Sequence, residues 1–269
     1  MNDTQPLGFE YISQAEFMEK HMTQKIAVVT GSYKGLGLEI ARQLAQRGLQ
    51  VIVTARKVEA AQQAAVTLAG SGLSVEAPPA ALDVADSASV AAFAAWVTER
   101  HGRVDVLVNN AGVNPKLAAE EQSVLTALPE VFLKTVDTNA VGALRMAQAL
   151  VPLMRKNGYG RIVNVSTEMA ALSSIAGDHY PIAPSYRASK VALNMVSQLL
   201  AKELAGSNIL VNSYSPGWTK TDMGGPHAPY TAEEAAQTAV FLATLPDGGT
   251  TGGFYAEMRK LGGPVVVAW

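Results

Sequence analysis

The sequence predicts an α/β fold in which one parallel β-sheet is covered by helices on both faces. From residue 25 onward, short apolar runs alternate with longer segments of helical periodicity. The runs are almost continuously apolar, which is typical of strands buried on both faces. With 269 residues, 48% hydrophobic and 16% charged, the chain suits one large domain.

The predicted strands are rich in Val, Ile and Leu and end at turn residues or glycines. They cover residues 26–30, 51–54, 74–77 or 80–82, 104–108, 161–165 and 209–213. The third strand has two alternatives because Pro78 and Pro79 separate them. One more short strand is expected within residues 252–269.

The predicted helices follow these strands and end near glycines. They cover residues 38–48, 58–68, 87–100, 128–154, 185–204 and 231–245. Apolar residues recur at helical spacing at Val90, Phe93 and Val97. Segment 128–154 is expected to be one long helix or a bent pair, and Thr231 is the expected N-cap of the last helix.

No internal repeat or linker divides the chain after residue 24, so residues 25–269 are predicted to form a single domain. Residues 1–24 are predicted to be an N-terminal extension or a tag, since His21 and Met22 resemble a cloning junction before a native start. The segment is acidic and lacks an apolar run, so it is not a secretory signal.

Composition argues against several classes of function. The net charge of −2 gives no reason to expect nucleic acid or an anionic membrane as a partner. No apolar run is long enough for a membrane helix. There are no cysteines, and the four histidines are scattered, so a metal site is not expected. Together with the absence of a signal segment, these features predict a cytoplasmic location.

A glycine-rich turn lies between the first strand and the first helix. Glycines suit a turn where the backbone bends sharply and approaches a pyrophosphate, whose charge the following helix N-terminus stabilises. The alternative is an ordinary tight turn, but the strand before and the helix after favour dinucleotide binding. The predicted cofactor contacts here are Gly31, Ser32, Tyr33, Lys34, Gly35, Leu36 and Gly37.

Arg56 follows the second strand, where an acidic residue would bind the ribose 2′-hydroxyl of NAD. Its guanidinium suits a 2′-phosphate instead. Lys34 in the glycine loop adds a second cation, so the pattern favours NADP(H) over NAD, with ordinary surface cations as the alternative.

Tyr186 and Lys190 are four residues apart on one face of a predicted helix. A nearby ammonium favours the phenolate, so we expect the Tyr186 pKa to lie below its ordinary value of about 10. Such a tyrosine donates a proton to a carbonyl oxygen as hydride arrives at the carbon. The alternative is a surface pair, since this spacing is common by chance.

These motifs occur in one order along the chain: residues 30–37, Asp83 and Val84 after the third strand, residues 109–112 after the fourth, Asn139, Ser166 and Thr167 after the fifth, Tyr186 and Lys190, and residues 216–221 after the sixth. In this order the chain resembles the short-chain dehydrogenase/reductase superfamily. Residues 33–35, residues 54–56 and the tail, residues 242–246 and 251–254, resemble its carbonyl-reductase-like branch in particular. The resemblance implies a single-domain, Rossmann-type, doubly wound fold.

The resemblance also implies residue roles. Tyr186 would be the general acid/base, Lys190 would hold the nicotinamide ribose, and Asn139 would anchor a water that links Lys190 to solvent. Further cofactor contacts would be Asp83, Val84, Asn110, Ala111, Gly112, Pro216, Gly217, Trp218, Thr219 and Thr221.

The hydroxyl that binds the substrate carbonyl departs from the family's usual spacing. That hydroxyl normally lies thirteen residues before the tyrosine, a spacing that here fits Ser173. Strand-end position instead favours Thr167, nineteen residues before Tyr186, with Ser166 as a further alternative. Thr167 is the preferred catalytic candidate, and residues 174–184 are then an insertion bordering the substrate pocket.

The predicted function is therefore NADPH-dependent reduction of a ketone or aldehyde. The alternatives are a catalytically silent NADP(H)-binding sensor or scaffold, and a non-redox member of the same superfamily. The expected partner is a small carbonyl or alcohol substrate. The long helices predicted at 128–154 and 186–204 have two alternatives: they pack against a second copy in a homo-oligomer, or they face solvent.

Overall fold

A computed structural model describes residues 24–115, 118–177, 179–256 and 265–269. Eight strands form one sheet in the order β3-β2-β1-β4-β5-β6-β7-β8. The strands are β1 Ile26–Val29, β2 Gln50–Val53, β3 Val75–Glu76, β4 Val106–Asn109, β5 Gly160–Val165, β6 Ile209–Tyr214, β7 Phe254–Ala256 and β8 Val265–Val266. All neighbours pair in parallel except β7 and β8, which are antiparallel.

Seven α-helices occur in the described part of the chain. They are α1 Gly35–Gln46, α2 Val58–Ala69, α3 Ser87–His101, α4 Pro129–Val136, α5 Gly142–Asn157, α6 Pro184–Glu203 and α7 Ala232–Ala243. A π-helical turn, Asp137–Val141, joins α4 directly to α5, so the predicted segment 128–154 is one continuous helical stretch with a π-helical turn inside it. Thr231 caps α7 through a reciprocal bond with Glu234, as expected for an N-cap.

The strands alternate their side chains between two cores, one on each face of the sheet. On one face, Val29 and Val108 pack with α1, α2 and α7. On the other, Val28 and Leu107 pack with α3, α5 and the end of α6. This arrangement confirms the predicted Rossmann-type sheet with helices on both faces.

Three expectations needed adjustment. The third strand is β3, and residues 80–82 are not a strand. The first helix begins at Gly35, within the glycine loop, rather than at residue 38. The last segment holds two short strands, β7 and β8, rather than one. Residues 1–23 of the predicted extension lie outside the described residues.

None of the described helices is both long and apolar enough to cross a bilayer. Within the same residues, no three His, Asp or Glu side chains come together as a metal ion would require. The metal-free site and the cytoplasmic location stay predictions.

Candidate active site

A cleft of about 1260 Å³ opens at the carboxyl ends of the parallel strands. In the sheet, β1 lies between β2 and β4, so the order of the strands reverses beside β1. The cleft opens at this point, which is the usual binding crevice of such sheets. The structure brings the predicted site residues together here: apart from Ser32 and Asn139, every one of them lines this cleft.

The glycine loop forms one wall of the cleft. Gly31 and Gly35 have φ of 62° and 57°, a left-handed conformation that favours glycine. A Cβ on Gly37 would clash with Asn110 Nδ2, which donates hydrogen bonds to the carbonyls of Thr30 and Gly31. The loop therefore packs tightly and presents the N-terminus of α1 to the cleft.

Ser32 lies beneath this loop rather than on its surface. It is fully buried, donates from Oγ to Val29 O at 2.7 Å and accepts from Thr54 N at 3.0 Å. Its side chain joins β1 to β2, and its assignment as a cofactor contact stays a prediction.

The basic side chains at the edge of the cleft differ from the predicted pair of Lys34 and Arg56. Lys34 is paired with Asp222 at 2.6 Å, and this hydrogen bond raises the Lys34 pKa. Arg56 is exposed at the end of β2, and Lys57, which the sequence reasoning missed, lies beside it on the cleft. No ion pair joins Arg56 or Lys57 to an acidic residue within the described ranges. In the sequence, the feature that could have identified Lys57 as a cleft residue is its position directly after Arg56.

Tyr186 and Lys190 converge in the cleft from the first two turns of α6. The Lys190 ammonium lies 5.8 Å from the centre of the Tyr186 ring and donates to Val165 O, at the end of β5, at 2.7 Å. Tyr186 keeps part of its surface open to the cleft, whereas Lys190 is 4% exposed.

The expected decrease of the Tyr186 pKa was wrong. Burial raises the pKa of Tyr186 to about 12 and lowers that of Lys190 to about 8. Desolvation penalises both charged forms. The ammonium does not offset this penalty, because it lies over the ring and bonds to the backbone. The phenol therefore holds its proton at neutral pH.

The three candidate hydroxyls occupy different environments. Thr167 lines the cleft, and its Oγ1 accepts from Met169 N at 3.3 Å, which leaves its own proton to donate. Ser166 is 1% exposed and donates its proton to Asn194 Oδ1 at 2.6 Å. Ser173 is exposed, lies outside the cleft lining and donates to Trp269 O. The geometry favours Thr167.

Asn139 lies in the π-helical turn, behind the cleft wall. Its side-chain amide donates to Val113 O and Ser189 Oγ, both at 2.9 Å, and accepts from Val113 N at 2.8 Å. A Cβ on Gly112 would lie 3.1 Å from Asn139 Oδ1 and 3.6 Å from Lys190 Nζ. Gly112 thus keeps the space between these two side chains free.

The loop after β6 covers the remaining side of the cleft. Trp218 is 54% exposed and donates from Nε1 to Gly224 O at 2.7 Å, so this loop folds back on itself. Thr221 lies against the glycine loop, 3.4 Å from a Cβ built on Gly35. Two sides of the cleft therefore meet at these residues.

Two contacts of α6 were not found by the sequence reasoning. The Glu121 carboxylate accepts two hydrogen bonds from Ser185, and Arg187 donates to the carbonyls of Met169, Tyr180 and Pro181. Arg187 ties the predicted insertion to α6, so this part of the insertion borders the cleft through Tyr180 and Pro181. Asp178 of the insertion lies outside the described residues.

The family model for short chain dehydrogenases matches residues 25–230. The chain belongs to the short-chain dehydrogenase/reductase family. A curated relative of this family, the human dehydrogenase/reductase SDR family member 4, is 40% identical over 200 residues, which are 74% of this chain and 68% of that protein. The (-)-isopiperitenone reductase of Mentha piperita is 31% identical over 310 residues, covering 88% of this chain and 98% of that protein.

Solved structures of the short-chain dehydrogenase/reductase family share this architecture. The NADPH-bound carbonyl reductase from chicken fatty liver superposes with a TM-score of 0.78 at 27% identity, covering 91% of this chain and 99% of that one. A tryptophan variant of the actinorhodin polyketide ketoreductase with NADPH superposes with a TM-score of 0.77 at 28% identity, covering 87% of this chain and 96% of that one. The chain is therefore a short-chain oxidoreductase.

Proposed function

We propose that this oxidoreductase uses NADPH to reduce a ketone or aldehyde, with Tyr186 as the proton donor. One observation carries the proposal: the Tyr186 phenol, the Thr167 hydroxyl and the Lys190 ammonium line the same cleft as the glycine loop. The similarity to NADPH-bound reductases supports it.

The residues present fit the cofactor. The cradle of Gly31, Gly35 and Gly37 leaves the backbone bare beside the N-terminus of α1, as a pyrophosphate requires. Arg56 and Lys57 are adjacent cations at the rim and suit a 2′-phosphate. When bound, NADPH supplies the hydride.

The chain's own residues handle the proton. Tyr186 holds its proton below about pH 12 and donates it to the carbonyl oxygen. Thr167 donates a hydrogen bond to the same oxygen and orients the carbonyl. Lys190, charged below about pH 8, stabilises the phenolate that forms. The open space that Gly112 leaves between Lys190 and Asn139 suits a relay that returns a proton from solvent.

The first experiment follows nucleotide absorbance with NADPH or NADH and a panel of ketones and aldehydes, then NADP with the corresponding alcohols. We expect turnover with NADPH in preference to NADH. Tyr186→Phe should abolish it, whereas Tyr159→Phe, at the opposite end of β5, should not. Tight NADPH binding without turnover of any compound would support the silent sensor, and conversion without net nucleotide oxidation would support a non-redox enzyme.

We also propose that the enzyme is a homo-oligomer formed through α4 and α6. Leu133 on α4 and Met195 and Leu199 on α6 are between 58% and 68% exposed, although these helices pack against each other. Apolar side chains on adjacent helices are typical of a protein interface. Light scattering of the wild type should give a molar mass above that of the monomer. Leu199→Glu should lower the measured mass.

A further inference from the structure

One buried carboxylate contacts the helix that carries Tyr186. Glu121 lies in the 3-10 turn Ala119–Gln122 and is 1% exposed. Its Oε1 accepts from Ser185 Oγ at 2.6 Å, and its Oε2 accepts from Ser185 N at 3.1 Å. Ser185 is fully buried and directly precedes Tyr186. A buried carboxylate is costly unless such bonds satisfy it, so this arrangement indicates a specific role.

Helix α6 has no cap of its own. Its N-cap residue is Ala183, which makes no side-chain bond and adopts φ 37° and ψ 59°. Alanine rarely adopts this left-handed conformation, so the surrounding contacts must hold it in place. Glu121 supplies the missing acceptor from another segment, at the helix end where negative charge is favourable.

The same turn determines where the phenol lies. Tyr186 follows Ser185, and its carbonyl accepts from Ser189 Oγ at 2.7 Å. Ser189 Oγ in turn accepts from Asn139 Nδ2 at 2.9 Å. Glu121 thus holds the residue before Tyr186, through Ser185, and Asn139 holds the Tyr186 carbonyl through Ser189.

We propose that Glu121 is a positioning residue: its carboxylate fixes the first turn of α6 and so holds the Tyr186 phenol in line with Thr167 and Lys190. This inference rests on the proposed function. Loss of the carboxylate would let the first turn relax. A displacement of about 1 Å is enough to lower turnover by about 100-fold.

The test measures kcat, KM and NADPH dissociation constants for Glu121→Ala, Glu121→Gln and Ser185→Ala. Glu121→Ala should lower kcat by about 10- to 100-fold and leave NADPH affinity within about 3-fold, because the cradle does not contact Glu121. Glu121→Gln should recover most of the activity, since its amide oxygen accepts from Ser185 N. Glu120→Ala changes an exposed glutamate on the same turn and is the matched control.

A folded Glu121→Ala enzyme with wild-type kcat overturns the inference. So does a loss of kcat matched by an equal loss of NADPH affinity, which would indicate general loosening. If Glu121→Ala does not fold, Ser185→Ala decides, because it removes the hydrogen bond to Glu121 Oε1. We expect it to lower kcat with NADPH affinity retained, and wild-type kcat in Ser185→Ala overturns the inference. Tyr186→Phe is measured in parallel. An active Tyr186→Phe refutes the proposed function, whereas an inactive one beside unaffected Glu121 variants refutes only this inference.

Discussion

Lys190→Met should make the protein without cofactor more stable at neutral pH, although it removes a proposed catalytic group. Burial lowers the Lys190 pKa from 10.5 to about 8. At about 1.4 kcal/mol per pKa unit, the charged side chain lowers the free energy of unfolding by about 3 kcal/mol at pH 7. Removing its hydrogen bond to Val165 O costs about 1 kcal/mol. The variant should therefore gain about 2 kcal/mol, or about 4–8 °C in Tm.

The sign of the pH dependence follows from the same shift. Between about pH 8 and 10.5 the unfolded chain binds more protons at this lysine than the folded protein, so wild-type stability rises with pH in that window. The penalty at Lys190 should fall by about 2 kcal/mol between pH 7 and 9.5. The advantage of Lys190→Met should then nearly disappear.

Thermal unfolding by circular dichroism at several pH values between 7 and 9.5, without nucleotide, measures this difference. Lys202→Met, which changes an exposed lysine on the same helix, should change the Tm little at any pH. Equal Tm values for wild type and Lys190→Met at pH 7 would refute the reasoning, as would a difference that stays constant to pH 9.5.

Three further predictions concern activity. Thr167→Val should lower kcat at least about 10-fold with NADPH affinity retained, since only the hydroxyl is lost; unchanged kcat would remove Thr167 from the site. Arg56→Glu should raise the KM for NADPH about 10-fold or more and leave that for NADH nearly unchanged, because it places a carboxylate at the proposed 2′-phosphate position; equal changes would contradict that position. Reduction needs the protonated Tyr186 and oxidation its phenolate. Because burial raises the Tyr186 pKa to about 12, kcat for oxidation should increase with pH towards that value, whereas kcat for reduction should fall only as the pH approaches it; profiles that increase in parallel would argue against the tyrosine.

Local patterns in the sequence were enough to predict much of this protein. The alternation of apolar runs and helical segments predicted a parallel sheet, because a parallel strand buried on both faces needs a continuous apolar run. The glycine loop and the Tyr186 and Lys190 pair were also predicted, since their chemistry depends on short spacings within one turn.

Other features depend on contacts between distant segments. Glu121 lies 64 residues before Ser185, and no local pattern marks the pair. The pairing of Lys34 with Asp222 spans 188 residues and likewise escaped prediction.

The sequence by itself determined the fold class, the order of the motifs and the residue types available for catalysis, because these are properties of neighbouring residues. Only the tertiary structure decided the ionisation of the site. Burial raises the Tyr186 pKa rather than lowering it. That burial depends on how α6 packs against β5 and its neighbours. The same packing turned Ser166 inward to Asn194 and left Thr167 facing the cleft.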